Sequence, residues 1–183
     1  MRIKRFQSEW PEIGYSKLQA CCLVALRLLI GWHFLYEGLV KVMHPRWTSL
    51  GYLMDSQGWF APLFHSMASR PNTLAAVNFL NEWGLVLIGL SLILGCLTRA
   101  GCVGGMLLLL FYYLSHPPFI GSENLFILPR EGAYLWIDRN VIEIAALALL
   151  YVFPTSNVFG LDGYILRFLK SKSFKSSSHV GRK

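Results

Sequence analysis

An all-α fold, an integral membrane four-helix bundle with both termini cytoplasmic and short interfacial segments in its outer loops, is predicted by three observations. First, 54% of the 183 residues are hydrophobic and only 15% are charged, a profile that fits neither a disordered chain nor an ordinary soluble domain. Second, four apolar stretches, near residues 20–43, 74–97, 100–116 and 134–153, approach the ~20 residues a helix needs to cross the hydrocarbon core. Third, the basic residues are sorted by loop. Arg2, Lys4, Arg5 and Lys17 precede the first stretch, Arg99 lies between the second and third, and Arg167, Lys170, Lys172, Lys175, Arg182 and Lys183 follow the fourth. By the positive-inside rule these segments are cytoplasmic and the two long loops face outward. The formal charge of +7 is therefore read as a topology signal, and no nucleic-acid partner is expected.

Residues 1–19 form a basic, aromatic cytoplasmic anchor, with Trp10 and Tyr15 suited to the membrane surface. The first span begins near Ala20 and ends by His44-Pro45, because proline cannot continue a helix. It is too long and too interrupted by charge for the apolar core of a signal peptide, so it is expected to be retained. Cys21 and Cys22 lie at its cytoplasmic end, and Cys96 and Cys102 flank the turn between the second and third spans. With no C-x-x-C spacing, they read as free thiols on the reducing side, and no metal site is expected.

The loop from Arg46 to Asn72 carries Trp47, Tyr52, Trp59 and Phe60, residues that favour an interface. Leu50, Leu53 and Met54 suggest one face of a short helix lying flat on the outer leaflet and capping the bundle. Asp55 and His65 read as solvated loop residues. The second span enters from outside with Asn78, Asn81 and Glu82 in its first half, within an arc of about 100°. The short Thr98-Arg99-Ala100 turn demands an antiparallel neighbour. The third span opens with Gly101 and Gly105, a G-x-x-x-G pair that lets another backbone approach; its Leu107–Leu114 run reads as lipid-facing or as a partner surface. Ser115-His116-Pro117-Pro118 ends it. The outer loop from Phe119 to Ala133 either gates access to the bundle or is an ordinary connection. The fourth span carries Arg139, Asn140 and Glu143 on one side and stops at Pro154. The membrane domain closes near residue 165, and residues 166–183 form a basic Ser/Lys-rich cytoplasmic tail without expected order.

The charged residues inside the spans carry the functional reading. At about 100° per residue, Arg27, His33, Glu37 and Lys41 fall within an arc of roughly 120°, so the first helix presents a polar stripe. Counting about 1.5 Å per residue from the outer ends, Glu37, Glu82 and Glu143 lie roughly 9–14 Å deep on three helices. Each ionised group in a span costs on the order of 3 kcal/mol. Glu37 is expected to meet Lys41, and Glu143 to meet Arg139, one turn away. Glu82 then shares a cation, bonds to Asn140 or His33, or stays protonated. These residues either hold the helices in register as buried polar glue or form a site reached from the outer side. Arg27, nearer the inner edge, is expected to snorkel or to pack against the cytoplasmic helix ends.

Three stretches, RLLIGWHFLYEGLVKV in the first span, NEWGLVLIGLSLILGCLTRAG across the second span and its turn, and NVIEIAALALLYVFPTSNVFGLDGYI at the end, resemble the DoxX/DoxD-like family of small four-span bacterial membrane proteins over roughly residues 20–165. The resemblance implies a multi-pass protein of the bacterial cytoplasmic (inner) membrane. It points to Arg27, Gly38 and Lys41, to Glu82 and Arg99, and to Gly160 and Asp162. Some members of the family are associated with quinone-linked oxidation of thiosulfate or with redox-protection complexes. The leading expectation is therefore a membrane subunit of a redox assembly, possessing no covalently bound cofactor and accepting a quinone-type head group. Glu82, Glu37, Glu143 and His33 would handle protons, while Lys41, Arg139, Asn78 and Asn140 would bind the head group. Its partners would be the lipid bilayer and either a second copy or a redox subunit. A small proton-coupled transporter and a non-catalytic assembly protein use the same residues as alternatives.

Overall fold

The computed structural model describes residues 16–118, 133–134, 136–153, 155 and 160–161. Residues 1–15 of the expected N-terminal anchor, most of the second outer loop and the C-terminal tail lie outside these residues.

Helix α1, Lys17–Val42, starts three residues earlier than expected because Ser16 caps it. The Gln19 backbone N–H donates to Ser16 Oγ at 3.2 Å, and the Ser16 N–H donates to Gln19 Oε1 at 2.9 Å. This reciprocal arrangement satisfies two backbone donors at the helix start. The loop after α1 contains two short helices instead of one, α2 (Leu50–Met54) and α3 (Ala61–Ala68). Of the expected Leu50, Leu53 and Met54 face, only Leu53 is buried. Leu53, Phe64 and Ala68 form a small core with Met67, Leu74, Val77 and Leu114, so α2 and α3 fold over one end of the following helices. We call this the cap end.

Helix α4, Pro71–Leu94, runs back from the cap end and stops at Gly95, whose φ of 64° is left-handed. A side chain at that position would be strained, and its space is taken by Gly160 and the Arg27 guanidinium. Ser91 Oγ donates to the Cys96 carbonyl at 2.7 Å and ties down this turn. Helix α5, Thr98–Ser115, then returns to the cap end.

The fourth apolar stretch departs from expectation. Its first residues form a two-stranded antiparallel hairpin, β1 (Ala133–Tyr134) with β2 (Ile137–Asp138), pairing Ala133 with Asp138 and Tyr134 with Ile137. Helix α6 begins only at Arg139 and ends at Val152, a length of 14 residues. Asp138 decides the start, since its Oδ1 accepts the Val141 N–H at 2.9 Å and so caps the first turn. At ~1.5 Å per residue α6 is about 21 Å long, less than the ~30 Å hydrocarbon core. Among the described residues, α1, α4 and α5 are the helices long and apolar enough to cross a membrane.

Helices α1, α4, α5 and α6 pack side by side in a ring, with α1 against α4 and α5 against α6 as the most extensive contacts. Phe34, Leu85, Leu92, Cys102, Leu109 and Leu147 fill its centre. The α1–α4 pair is the tightest: a Cβ at Gly38 would lie 2.7 Å from the Val86 backbone nitrogen, and one at Gly89 would lie 2.5 Å from that of Leu35. The G-x-x-x-G residues of α5 face two different neighbours, Gly101 approaching Ser91 on α4 and Gly105 approaching Leu147 on α6. Outward, Leu29, Trp32, Tyr36, Val40 and Met43 make one exposed face on α1, and Leu107, Leu110 and Phe111 are exposed on α5. Water would penalise such continuous apolar faces; hydrocarbon does not. The chain is thus a multi-pass helical membrane protein.

Candidate functional site

Pairing Gly38 with Val86, Leu35 with Gly89 and Gly31 with Ile93 fixes the antiparallel register of α1 and α4 and so the heights of the acids. That register sets Glu82 across from Val42, where α1 ends. Glu143 instead meets His33, with Nδ1 2.7 Å from Oε1. The two levels are nine residues apart along α1, or about 13 Å at ~1.5 Å per residue. The three carboxylates expected at one depth therefore form a ladder: Glu143 lowest, Glu37 one turn above His33, Glu82 at the cap end.

Two of these rungs share a site. A cavity of about 280 Å³ at the cap end is lined by Glu37, Lys41, Arg139 and Asn140 together with Asn81 and Tyr112. Directly below, a recess of about 50 Å³ is lined by Glu37, Lys41, Arg139 and Asn140 again, now with His33 and Glu143. Lys41 Nζ donates to Glu37 Oε2 at 3.0 Å, as the spacing of four predicts, and sits 5.7 Å from the centre of the Trp47 ring. The expected Arg139–Glu143 pair is not formed. Arg139 occupies the first turn of α6, exposed at the cavity mouth, while Glu143 lies one turn deeper and turns to α1. Arg139 makes no ion pair among the described residues. Asn140 Nδ2 donates to Asp138 Oδ2 at 2.7 Å, which holds its amide at the rim.

Asn78 and Glu82 are placed differently. Asn78 Oδ1 accepts from the Ser49 N–H at 2.9 Å and from Ser49 Oγ at 2.6 Å, and Asn78 Nδ2 donates to Thr48 Oγ1 at 3.2 Å. Its amide anchors the segment leading into α2 and does not line either polar cavity. Glu82 also lies outside both linings and has no hydrogen bond or ion pair among the described residues.

Arg27 is neither exposed nor snorkelling. It is 3% exposed, and its Nη1 donates to Thr155 Oγ1 at 3.1 Å beneath the α4–α5 turn. It packs against the helix ends far from the cavity. Cys21 and Cys22 are exposed, and Cys102 is buried in the core.

The structure adds residues that sequence reasoning did not assign to the site. Asn81 Nδ2 donates to Tyr112 Oη at 2.7 Å, and Tyr52 Oη donates to the Tyr112 carbonyl at 3.3 Å. Burial pushes the Tyr52 phenol up to about 12, so it remains a donor at neutral pH. The Tyr52 ring also lies 4.2 Å from that of His116, whose Nε2 is 3.5 Å from Asp55 Oδ2. Asp55 thus helps to fasten the cap to the end of α5. Tyr112, the first of two adjacent tyrosines after the Leu107–Phe111 run, was the one available signal for this wall.

Chemically, the cavity offers Lys41, Arg139 and the Tyr112 hydroxyl as donors and the Glu37 carboxylate as an acceptor. The His33–Glu143 pair at its floor can exchange a proton. Among the described residues no three His, Cys, Asp or Glu side chains converge as metal ligands.

A family model described as DoxX matches residues 22–117, just over half of the chain. The matched segment takes in most of α1 and the whole of α2 through α5, while the third stretch quoted above, which holds α6 from Asn140 on, falls beyond it. No curated protein and no solved structure resembles the chain closely enough to count as a match. The match and the apolar helices agree, and the chain belongs to the DoxX family.

Proposed function

We propose that the chain is a membrane subunit of a redox-linked assembly and that its cap-end cavity binds the head group of a quinone-type ligand. The observation that carries this reading is the stacking of the roughly 280 Å³ cavity, with Lys41 and Arg139 in its wall, on the His33–Glu143 pair. A ring carrying carbonyl oxygens needs cationic and hydroxyl donors, and its reduction needs protons delivered to those oxygens. Lys41 and Arg139 supply donors, with Asn140 and the Tyr112 hydroxyl, which accepts from Asn81, beside them. Of the four residues expected to handle protons, His33 and Glu143 are given that role here, because the pair lines the recess beneath the cavity and Glu82 lines neither space. Glu37 holds Lys41 in place. The size of the cavity, at the lower end of the ~300–1,000 Å³ typical of small-molecule sites, suits a single substituted ring.

In this reading α6 belongs to a four-span topology, both termini are cytoplasmic and the cap end faces outward, in the inner membrane of a bacterium. The electron donor belongs to a partner subunit. A proton-coupled transporter would use the same acid–imidazole pair, and it differs from the redox reading in requiring substrate-dependent proton uptake into vesicles.

The test is binding of a tail-less benzoquinone analogue to the purified protein, followed by quenching of tryptophan fluorescence, since Trp47 lies in the cavity wall. Lys41→Met is expected to weaken binding by about ten- to a hundredfold, the worth of a hydrogen bond from a charged donor. Absence of any binding, with no quinone in native mass spectra of the gently extracted protein, would refute the proposal.

A further inference from the structure

Beside the polar cavity lies a second, larger space, an apolar cleft of about 540 Å³ between α4 and α5. Leu80, Leu87, Ile88, Leu108 and Phe111 form its walls, and Phe64 and Met67 of α3 form part of its roof. Four residues, Ser49, Tyr52, Asn81 and Tyr112, line both spaces. The geometry points to a two-part site: the cleft takes the prenyl hydrocarbon chain of the same quinone-type ligand whose ring occupies the polar cavity, with ring and chain meeting at the Asn81–Tyr112 neck. This inference rests on the head-group reading given above.

Three features identify the occupant. The cap end of the cleft is roofed by Leu53, Phe64 and Met67, so a phospholipid that keeps its head group in water cannot lower an acyl chain from that end. The side of the cleft carries Leu80, Leu87, Leu107 and Phe111, all more than half exposed, and opens toward hydrocarbon. An amphiphile with a small head that can itself enter the protein uses this lateral route. At the neck, Asn81 Oδ1 is buried without a hydrogen-bond partner among the described residues, and Asn81 lines the cleft. Such an atom is costly to leave unmatched, and a ligand hydroxyl, as the reduced ring carries, would donate to it at the junction of the two spaces.

The space is kept open by missing side chains. A Cβ at Gly84 would meet nothing within 4 Å, and one at Gly104 would make only ordinary contact with Ile88 at 3.5 Å; both glycines line the cleft. A hydrocarbon chain moving from bilayer to cleft gains no transfer energy, because lipid is already apolar. Its gain is dispersion contact with walls that otherwise lack a partner, and a head group held next door raises its local concentration. Selectivity thus comes from linkage between the two halves.

The experiment compares two probes on the full chain in nanodiscs: a benzoquinone carrying a ten-carbon chain and the same ring without it. We expect the tailed probe to bind about tenfold more tightly, with the linked tail supplying the difference. In Gly84→Leu, whose Cβ enters open space in the cleft, that ratio falls to near one, and Gly104→Ala reduces it in part. Gly51→Ala, also free of contact at its Cβ and outside the cleft, leaves the ratio as it was. Equal binding of the two probes by the unsubstituted protein, or an unchanged ratio in Gly84→Leu, overturns the tail inference while the head-group reading stands. A phospholipid retained in native mass spectra and lost in Gly84→Leu, with the probe ratio near one, assigns the cleft to bilayer lipid and also overturns it. If neither probe binds, the head-group reading falls and the tail site falls with it.

Discussion

Replacing Gly89 by alanine tests the α1–α4 packing that sets the height of every group in the site. The added Cβ would lie 2.5 Å from the Leu35 backbone nitrogen and 2.7 Å from its Cα. Neither atom is a flexible side-chain end, so α1 must shift by nearly 1 Å to restore ordinary contact. Overpacking of this kind costs about 1–3 kcal/mol, and backbone against backbone belongs at the upper end. Alanine returns up to ~1 kcal/mol in helix propensity, leaving a net loss of about 1–2 kcal/mol. Gly84 lies in the same helix five residues earlier, with nothing near its Cβ. Gly84→Ala should keep the propensity gain alone and stabilise by about 0.5–1 kcal/mol. Reversible unfolding in mixed micelles, followed by helicity, should separate the two variants by about 2–3 kcal/mol on these figures. Shifts of the same sign and size in both would refute the close helix approach and the register drawn from it.

Three further outcomes follow from the same geometry. Glu143→Leu removes the partner of His33 and should cost about 1–3 kcal/mol for an unsatisfied part-buried group; a double-mutant cycle with His33→Leu should recover part of that loss, and strict additivity would argue against the 2.7 Å contact. Asp138→Ala deletes the α6 cap and should destabilise by about 0.5–2 kcal/mol, with the added loss of helix start visible as faster amide exchange at Val141. The Tyr52 phenol titrates near 10 when unfolded and near 12 when folded. Its contribution to stability is therefore fully present below pH 10 and is lost as pH rises from 10 to 12. Tyr52→Phe should remove that part of the alkaline dependence, which denaturant titrations at pH 9 and pH 11.5 would reveal.

The polar stripe on α1 was legible because helical geometry is local. The spacing of His33, Glu37 and Lys41 already implied one face and one intrahelical ion pair, and both are present. Depth was not legible in the same way. Counting inward from loop ends set Glu82 level with Glu37 and Glu143, but α4 extends beyond the end of α1 to carry the cap, which moves Glu82 to the cap end. The start of α6 was misplaced for a similar reason: apolar composition runs through Ala133–Ile137, while the hairpin pairing and the Asp138 cap that interrupt it depend on hydrogen bonds composition does not encode. Asn78 shows the limit for a single residue, since its polarity suggested ligand contact and its amide is used to anchor Ser49 and Thr48.

By itself the sequence determined the helical membrane class, three of the spanning helices, the α1 stripe with its Lys41–Glu37 pair and the membership of the family. Each follows from composition, period or motif, properties that a linear chain carries wherever it is placed. Only the tertiary structure decided that Glu143 pairs with His33, that Tyr52, Asn81 and Tyr112 wall the cavity, and that an apolar cleft adjoins it. Those facts depend on helix register, which is set by how closely Gly38 and Gly89 let α1 and α4 approach, and that distance is a property of the packed pair.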